Sequence, residues 1–331
     1  MPNIKELAAK AGVSPSTASI VVNGKSKERK ISQETQDKIW KAAKEIGYRP
    51  NISARRLRDQ NTTDSITIAV FWSSDVRSNL MTRFLHGLQD SAIQSDKTIE
   101  FLIHPYKNNQ LHEVATIPEL AKYHAVIICN ASTTDLVFLE QMNYPVPIIL
   151  YNRKSESYPY VCVDDSLIGK LAGEVFISHQ RHKALLLGDE SLFPGLIQRI
   201  NGFLAECDKG DIAVSVINCD MTMKDGYDKM IHFDPSYDCI FALSDYQAIG
   251  VLRYCLQHQI PIPDKVELIS VGNADHELEE YAAIPLSVIE LPMENMAKEC
   301  LNIALSQIEM NEGHNNVILP VRYIARETTS K

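Results

Sequence analysis

Apolar residues near the amino end of the chain recur at the spacing of one helix face. Four of them, at positions i, i+3, i+4 and i+7, are Ile4, Leu7, Ala8 and Ala11. This stripe predicts a first helix over about 5–11, which Gly12 ends. The apolar pattern also predicts a second helix over about 15–22 and a third over about 33–46.

The second and third helices each have a capping residue and one apolar face. The Ser14 hydroxyl is suited to cap the second helix, and Pro15 fits its first position, where no amide donor is needed. Ser32 caps the third helix, and Gly47 ends it. The inner faces are predicted to supply Ala18, Val21, Val22, Ile39, Ala42, Ala43 and Ile46. The outer face of the second helix presents Pro15, Ser16, Ser19 and Ile20.

Two short helices joined by a glycine-containing turn, with a third helix behind them, are typical of a helix-turn-helix unit. A small helical bundle used for protein contact is the alternative interpretation. The charge distribution favours DNA, because residues 1–60 hold 13 Lys and Arg against 6 Asp and Glu, a net of +7. The other 271 residues hold 20 against 36, a net of −16. A basic unit on an acidic body indicates that the basic unit binds a polyanion.

From residue 65 onwards, short apolar runs alternate with longer helical stretches, which is typical of a parallel α/β fold. The predicted strands are 66–71, 99–103, 125–129, 148–151, 184–188, 214–219, 239–242 and 268–272. This number of strands suits two doubly wound lobes better than one. Ligands of such sheets bind at the carboxyl ends of the strands, so the functional residues of the body are expected just after them.

Sequence signatures of common enzyme classes are absent from the body. The chain has no G-x-G-x-x-G loop after a strand, no P-loop, no G-x-S-x-G elbow and no H-E-x-x-H pair. The remaining acids and histidines are interpreted as cleft or solvent-facing side chains: Asp164, Asp165, Glu279, Glu280, His179 and His182. No enzyme activity, cofactor or metal site is therefore predicted.

The compartment is predicted from cysteines and apolar runs. Seven cysteines without a C-x-x-C pair indicate buried free thiols in a reducing compartment. The longest apolar runs are about five residues, too short to span a bilayer. The amino terminus lacks the apolar stretch of a signal peptide. We therefore expect a cytoplasmic protein without a membrane partner.

The headpiece, residues 1–48, and the segment after it carry the motifs of a known family. The motifs are IKELAAKAGVSPSTAS at 4–19, VVN at 21–23, IS at 31–32, GYRPN at 47–51 and ARRL at 54–57. Together they closely resemble the amino-terminal region of LacI/GalR-type transcriptional repressors. The resemblance implies a transcriptional repressor that binds a pseudo-palindromic double-stranded DNA operator as a homodimer.

Residues 49–64 correspond to the hinge segment of that family. Asn51 is suited to cap a helix over about 52–58, which is too short to be stable alone and is expected to fold with DNA and a second subunit. In the family, a leucine that matches Leu57 inserts into the minor groove and kinks the duplex. The DNA contacts predicted for this chain are Asn3, Ser14, Pro15, Ser16, Thr17, Ser19, Ile20, Asn23, Lys30, Ser32, Tyr48, Asn51, Ala54, Arg55, Leu57 and Arg58.

Ile20 is a departure from the family, which often has an arginine at this position. An arginine pairs with guanine through two hydrogen bonds, whereas isoleucine offers only an apolar contact, for example to a thymine methyl group. We therefore expect phosphate contacts, hinge insertion and DNA deformability to contribute more of the affinity than usual.

The body, residues 65–331, resembles the periplasmic-binding-protein-like effector domain of the same family. The matching pieces are YNR at 151–153, VDD at 163–165, RINGF at 199–203, ALSD at 242–245 and SVG at 270–272. The resemblance implies two lobes joined by three chain crossings, with a small-molecule effector in the cleft between them. One lobe is expected to contain about 65–162 and 292–318, and the other about 163–291 and 319–327.

The effector contacts that the resemblance implies are Trp72, Asp75, Arg77, Asp164, Arg199, Met221, Ser244, Asn273 and Asp275. Arg199 matches the arginine that binds the ligand in the family. Its planar guanidinium can donate paired hydrogen bonds to hydroxyls or a carboxylate. Ser244, Ala274 and Met221 depart from the asparagine, aspartate and aromatic residue that the family often has. A retained arginine and a lost acid favour a sugar phosphate or another small anion over a simple sugar.

Two alternatives to small-molecule control stay open. In the first, a protein co-regulator docks on the body and controls DNA binding. In the second, the chain is a solute-binding receptor, which the basic headpiece and the missing signal peptide disfavour.

Overall fold

The computed structural model of the chain forms two compact units. It describes residues 3–22, 26, 29–46, 48, 65–74, 80–142, 144–188, 193–272, 276–310 and 316–330. The first unit comprises residues 1–78, 85–162 and 296–317. The second comprises residues 79–84, 163–295 and 318–331.

The headpiece consists of the three helices that its apolar pattern predicts. They are α1 (Ile4–Ala11), α2 (Pro15–Val22) and α3 (Gln33–Ile46). Their inner faces bury a common core of Leu7, Ala8, Ala18, Val21, Val22, Ile39, Ala42 and Ala43. Gly12 follows α1 with a left-handed φ of 67°, and its amide donates to the Ala8 and Ala9 carbonyls. Glycine adopts this conformation without a Cβ penalty, so α1 ends where the sequence predicts.

The chain between the headpiece and residue 164 alternates strands and helices. The elements are β1 (Ile66–Ser73), α4 (Met81–Gln94), β2 (Ile99–Tyr106), α5 (Leu111–Val114), α6 (Ile117–Leu120), β3 (Ala125–Cys129), α7 (Thr133–Gln141), β4 (Ile148–Tyr151) and β5 (Tyr160–Val163). The five strands belong to a six-stranded sheet of order β11-β5-β4-β3-β1-β2. The sixth strand, β11, comes from the end of the chain. Neighbours from β2 to β5 run parallel, and β3 and β4 are fully buried, as central parallel strands must be.

The second half of the chain continues the alternation. Its elements are α8 (Asp165–Ser178), β6 (Lys183–Gly188), α9 (Pro194–Lys209), β7 (Ala213–Asn218), α10 (Met223–Lys229), a 3₁₀ turn (Met230–His232), β8 (Cys239–Ala242), α11 (Asp245–Gln257), β9 (Glu267–Gly272), α12 (His276–Glu280), β10 (Ser287–Glu290), α13 (Met293–Met310), β11 (Val317–Leu319) and β12 (Arg322–Ile324). The second sheet has the order β12-β10-β9-β8-β6-β7. Only β12 is antiparallel among its pairs of described residues, so the carboxyl ends of β6 to β10 share one edge.

The strand predictions were incomplete in two respects. Four strands were not predicted, namely β5, β10, β11 and β12. Each is three or four residues long and has at least one position that is not buried, whereas the equally short β4 and β8 were predicted because they are fully buried apolar runs. In addition, β1 and β2 extend past their predicted ends, because their parallel ladder continues to the Ser73 and Tyr106 pair.

No helix in the described part of the chain combines the length and apolar character needed to cross a membrane.

Candidate DNA-binding surface and effector site

The start of α2 is fixed by a hydroxyl network. Ser14 Oγ accepts from the Thr17 amide at 3.0 Å and lies 2.8 Å from both the Ser16 Oγ and the Thr17 Oγ1. The predicted cap is therefore confirmed. Because Ala18 and its apolar neighbours on α2 are buried, the opposite face is turned away from the core: Pro15 and Ser16 are exposed, and Ser19 and Ile20 are half-buried. The outer face of α2 thus offers small hydroxyls and one aliphatic side chain.

Asn3 caps α1 in this structure. Its Oδ1 accepts from the Lys5 and Glu6 amides at 2.9 and 3.1 Å, and its Nδ2 donates to Glu6 Oε1 at 2.7 Å. One exposed ion pair, Lys10 Nζ to Glu45 Oε2 at 2.9 Å, connects α1 to α3. The hydrogen bond from Lys10 lowers the pKa of Glu45. The DNA contact of Asn3 stays a prediction.

Three other predicted DNA contacts lie around α3. Lys30 and Ser32 are exposed, and Ser32 Oγ caps α3 by accepting from the Thr35 amide at 3.3 Å. Tyr48 is half-buried and packs on the headpiece core, and this burial raises the pKa of its phenol. Lys30 and Ser32 are thus accessible at the start of α3.

Ten predicted site residues lie outside the described residues, and their roles stay predictions. For DNA binding they are Asn23, Asn51, Ala54, Arg55, Leu57 and Arg58. For effector binding they are Asp75, Arg77, Asn273 and Asp275.

In the second unit, α8 and α9 pack with unusually close backbones. A Cβ on Gly169 would lie 1.9 Å from the Arg199 carbonyl oxygen, and a Cβ on Gly202 would lie 2.2 Å from that of Ser166. Only glycine fits at such distances. The close contact places the amino-terminal turns of both helices side by side.

The predicted effector residue Arg199 lies at this contact and has a partner that was not predicted. Its Nε donates to Asp165 Oδ1 at 2.8 Å, and the two side chains are only 7% and 15% exposed. Among the described residues, nothing else accepts a hydrogen bond from the Arg199 side chain. The sequence gives one clue to such a partner, because a buried arginine on a helix face requires an acid nearby.

Two other predicted effector residues begin helices. Asp164 Oδ1 accepts from the Ser166 and Leu167 amides at 3.0 and 3.3 Å and remains exposed. Ser244 is 3% exposed, caps α11, and forms a capping box with Gln247. The Gln247 side chain also donates to the Cys219 carbonyl at 2.8 Å, which connects α11 to the turn after β7.

Trp72 and Met221 differ in accessibility. Trp72 is 1% exposed, with its ring centroid 6.1 Å from that of Tyr151. The first strand was predicted to end at Phe71, but β1 continues to Ser73, so Trp72 lies within the strand. Met221 is half-buried in the turn before α10. Trp72 therefore offers little surface to an effector in this structure, while Met221 offers more.

Two interpretations of polar side chains are corrected. Glu279 is fully buried rather than cleft- or solvent-facing, and its Oε2 lies 3.4 Å from Arg326 Nη1. Burial, reinforced by the charge of Asp245, raises the pKa of Glu279 to about 7. His179 is half-buried, because its Nδ1 lies 3.0 Å from both carboxylate oxygens of the buried Glu267.

The predictions for His182 and for the cysteines agree with the structure. His182 is 82% exposed at its side chain. All seven cysteines are buried free thiols. No group of three His, Cys, Asp or Glu side chains among the described residues has a geometry that could hold a metal ion.

Comparisons with known proteins match both parts of the chain. Residues 3–51 match the family described as bacterial regulatory proteins, lacI family, and residues 176–329 match the periplasmic binding protein-like domain. The transcriptional repressor PurR of Vibrio cholerae serotype O1 (strain M66-2) is 24% identical over 327 residues, which cover 96% of this chain and 94% of the repressor.

Solved structures give the same result. The lac repressor dimer bound to operator and the anti-inducer ONPF shares the fold, with a TM-score of 0.70, 18% identity and coverage of 99% of both chains. A LacI family transcription regulator from Clostridium acetobutylicum is 31% identical, with a TM-score of 0.75. That match covers 79% of this chain and 99% of the other. This protein belongs to the LacI family of DNA-binding transcription regulators.

Proposed function

We propose that this protein is a homodimeric repressor that binds a pseudo-palindromic DNA operator. A small molecule either lowers or raises its affinity for that operator. In this assignment, residues 1–48 bind the major groove, residues 49–64 form the hinge, and residues 65–331 bind the effector and the second subunit. The lac repressor structure, a dimer with operator and anti-inducer, supports the combination of these properties.

The observation that carries the DNA-binding proposal is the asymmetry of α2. Its inner face is buried through Ala18, Val21 and Val22, while Pro15 and Ser16 on the outer face are exposed. The second helix of a helix-turn-helix unit reads the major groove with such a face. Ile20 contributes an apolar contact, and the net charge of +7 over residues 1–60 supplies attraction to phosphates.

The effector part of the proposal places the ligand at the carboxyl edge of the second sheet, around Arg199. A molecule that prefers one conformation of the body changes DNA affinity by that preference and by no more. The Arg199 guanidinium is held in place before any ligand arrives, since Asp165 fixes its Nε. Such preorganisation reduces the entropy lost on binding.

Selection of duplexes from a random DNA pool by the full-length protein tests the DNA-binding part. We expect enrichment of a palindrome with a flexible central step, and an affinity that falls by orders of magnitude between about 50 and 200 mM salt. Ser16→Glu places a carboxylate on the exposed face of α2 and should abolish enrichment. Ser157→Glu makes the same change at an exposed position of the first unit and should leave enrichment intact.

The selected duplex then tests the effector part. Sugars, sugar phosphates and small acids are added to the complex, and the DNA affinity is measured with each. A folded protein that enriches no sequence, either alone or with each of these molecules present during selection, would contradict the DNA-binding proposal. A chain that binds its operator but responds to none of these molecules would contradict small-molecule control and favour a protein co-regulator.

A further inference from the structure

The Asp165 carboxylate lies against two positive groups of the second unit. The first is the Arg199 guanidinium, whose Nε is 2.8 Å from Asp165 Oδ1. The second is the amino-terminal turn of α9, because a Cβ on Gly195 would lie 2.6 Å from Asp165 Oδ2. The Asp165 carboxylate therefore lies beside the first turn of α9, where the helix dipole is positive.

A phosphate or carboxylate ligand would need these same two groups. Arginine forks and helix amino termini are the usual anion-binding elements of proteins. Here a carboxylate of the chain already lies beside both, at the site where the sequence favours a small anion. Two more acids at the same edge, Asp164 and Asp220, are exposed and add negative potential.

The packing of two helices fixes the backbone position of Asp165. It is the first residue of α8, and α8 is held against α9 by the contact of Gly169 with the Arg199 carbonyl. At 15% side-chain exposure, Asp165 has little freedom to leave. Any ligand that reaches the terminal nitrogens of Arg199 meets a guanidinium whose charge is largely neutralised.

We propose that Asp165 sets the charge selectivity of the effector site: it orients Arg199 for hydrogen bonding to uncharged, hydroxyl-bearing molecules and repels phosphates and carboxylates. This inference rests on the proposed effector site. It replaces the sequence-based preference for an anionic effector, because that preference counted Arg199 without its partner.

Inorganic sulfate is the probe that tests the role of Asp165. Calorimetric titration compares the full-length wild type, Asp165→Asn and Asp165→Ser at constant ionic strength. The asparagine variant keeps an oxygen acceptor for Arg199 Nε but removes the charge. We expect both neutral variants to bind sulfate at least about tenfold more tightly than the wild type, since a unit charge a few ångströms from the ligand is removed. Sulfate bound by the basic headpiece is common to all the proteins and does not affect this difference.

Two controls separate the site from general electrostatics. Asp165→Glu keeps the charge and should keep sulfate out. Asp208→Asn removes an equal charge from the carboxyl-terminal turn of α9, about 20 Å from Gly195 at the helical rise, and should leave sulfate affinity at the wild-type value. An equal gain in Asp208→Asn, or no gain in the two neutral Asp165 variants, would overturn the proposal.

A measurement on the wild type alone covers the case in which the neutral variants do not fold. Ribose and ribose 5-phosphate are titrated in parallel, and tighter binding of the phosphate would overturn the role of Asp165. The proposed function is judged separately, by the response of DNA affinity to small molecules. Failure of that response contradicts effector control, whereas unchanged sulfate binding contradicts only the selectivity of Asp165.

Discussion

The headpiece and the second unit hold their helices together by different means. In the headpiece, aliphatic side chains such as Leu7 and Ile39 form the contact, and Lys10 to Glu45 is an ion pair whose side chains are both more than two-fifths exposed. In the second unit, α8 and α9 meet through glycine backbones and the nearly buried Arg199 to Asp165 pair. Exposed pairs contribute little to stability, whereas buried charges are costly when a partner is removed.

This difference predicts how each region fails. Headpiece stability depends on apolar volume and on caps formed by residues two or three positions apart. The second unit depends on partners far apart in the chain, such as His179 and Glu267, which are separated by 88 positions. Loss of apolar volume should therefore unfold the headpiece, while changes of backbone spacing or protonation should affect the second unit.

The largest effect is expected from Leu7→Ala. Leu7 is 0% exposed at the centre of the headpiece core, so truncation should destabilise the headpiece by about 2–5 kcal/mol. A three-helix unit of this size has little stability to lose, so the headpiece should unfold and operator binding should disappear. Calorimetric unfolding and binding to the selected duplex measure both effects.

Val137→Ala is the matched control for that change. Val137 on α7 is 51% exposed, so its truncation should change the free energy of unfolding by less than about 0.5 kcal/mol. If Leu7→Ala retained full operator affinity, the headpiece core would not have the role that its burial indicates.

The next effect is expected from Gly169→Ala in the second unit. The added Cβ would meet the Arg199 backbone carbonyl, which cannot rotate away, so α8 and α9 must separate. We expect a loss of about 3 kcal/mol in the free energy of unfolding, at the upper end of ordinary overpacking. Effector response should be lost with it, because Arg199 moves with α9, while DNA selection is retained.

Gly12→Ala sharpens the comparison, because the space around that glycine is open. Beyond the adjoining backbone, no atom of the described residues lies within 4 Å of the Cβ position of Gly12, and the φ of 67° is what disfavours alanine there. The cost should be about 1 kcal/mol, and Gly12→Asn should recover part of it, since asparagine tolerates this conformation better. We attribute the requirement for glycine at position 12 to its φ angle and that at position 169 to the lack of space for a Cβ. Equal losses of unfolding free energy in Gly12→Ala and Gly169→Ala would contradict this distinction.

Local signals predicted the headpiece almost completely. Ser14 and Thr17 are three residues apart, so the cap of α2 is visible in the sequence itself, as is the stop at Gly12. The long strands of the body were predictable from their apolar runs. The pair of Asp165 and Arg199 was not, since 34 positions separate the two residues and only the packing of α8 on α9 joins them. The burial of Glu279 was missed for the same reason, because Arg326 lies 47 positions away.

Protonation of Glu279 should make the stability of the chain depend on pH. Burial raises its pKa from 4.5 to about 7 in the folded state, so the folded chain binds this proton more tightly than the unfolded chain. The contribution is complete below about pH 4.5 and is lost as the pH rises through about 7. Because of Glu279, we expect the free energy of unfolding to fall by about 2–3 kcal/mol as the pH rises from 5 to 8.

Glu279→Gln isolates that contribution from other titrating groups. The neutral amide should flatten the decline in the free energy of unfolding between about pH 5 and 8, measured by denaturant titration at each pH. Glu280→Gln changes the exposed neighbour and should reproduce the wild-type curve. Parallel curves for the wild type and Glu279→Gln would mean that Glu279 stays ionised when folded.

An effect as small as that of Gly12→Ala is expected from Ser14→Ala, the local counterpart of these long-range changes. Loss of the hydroxyl leaves the Thr17 amide without its acceptor and should cost the headpiece about 1 kcal/mol. Ser14→Asp keeps an acceptor and adds a favourable charge at the amino end of α2, so it should recover the loss. The free energy of unfolding is the proper measurement, since Ser14 is also a proposed DNA contact and an aspartate there would repel phosphate. If Ser14→Asp were as unstable as Ser14→Ala, the hydroxyl would stabilise α2 through Ser16 and the Thr17 side chain, and the cap would be secondary.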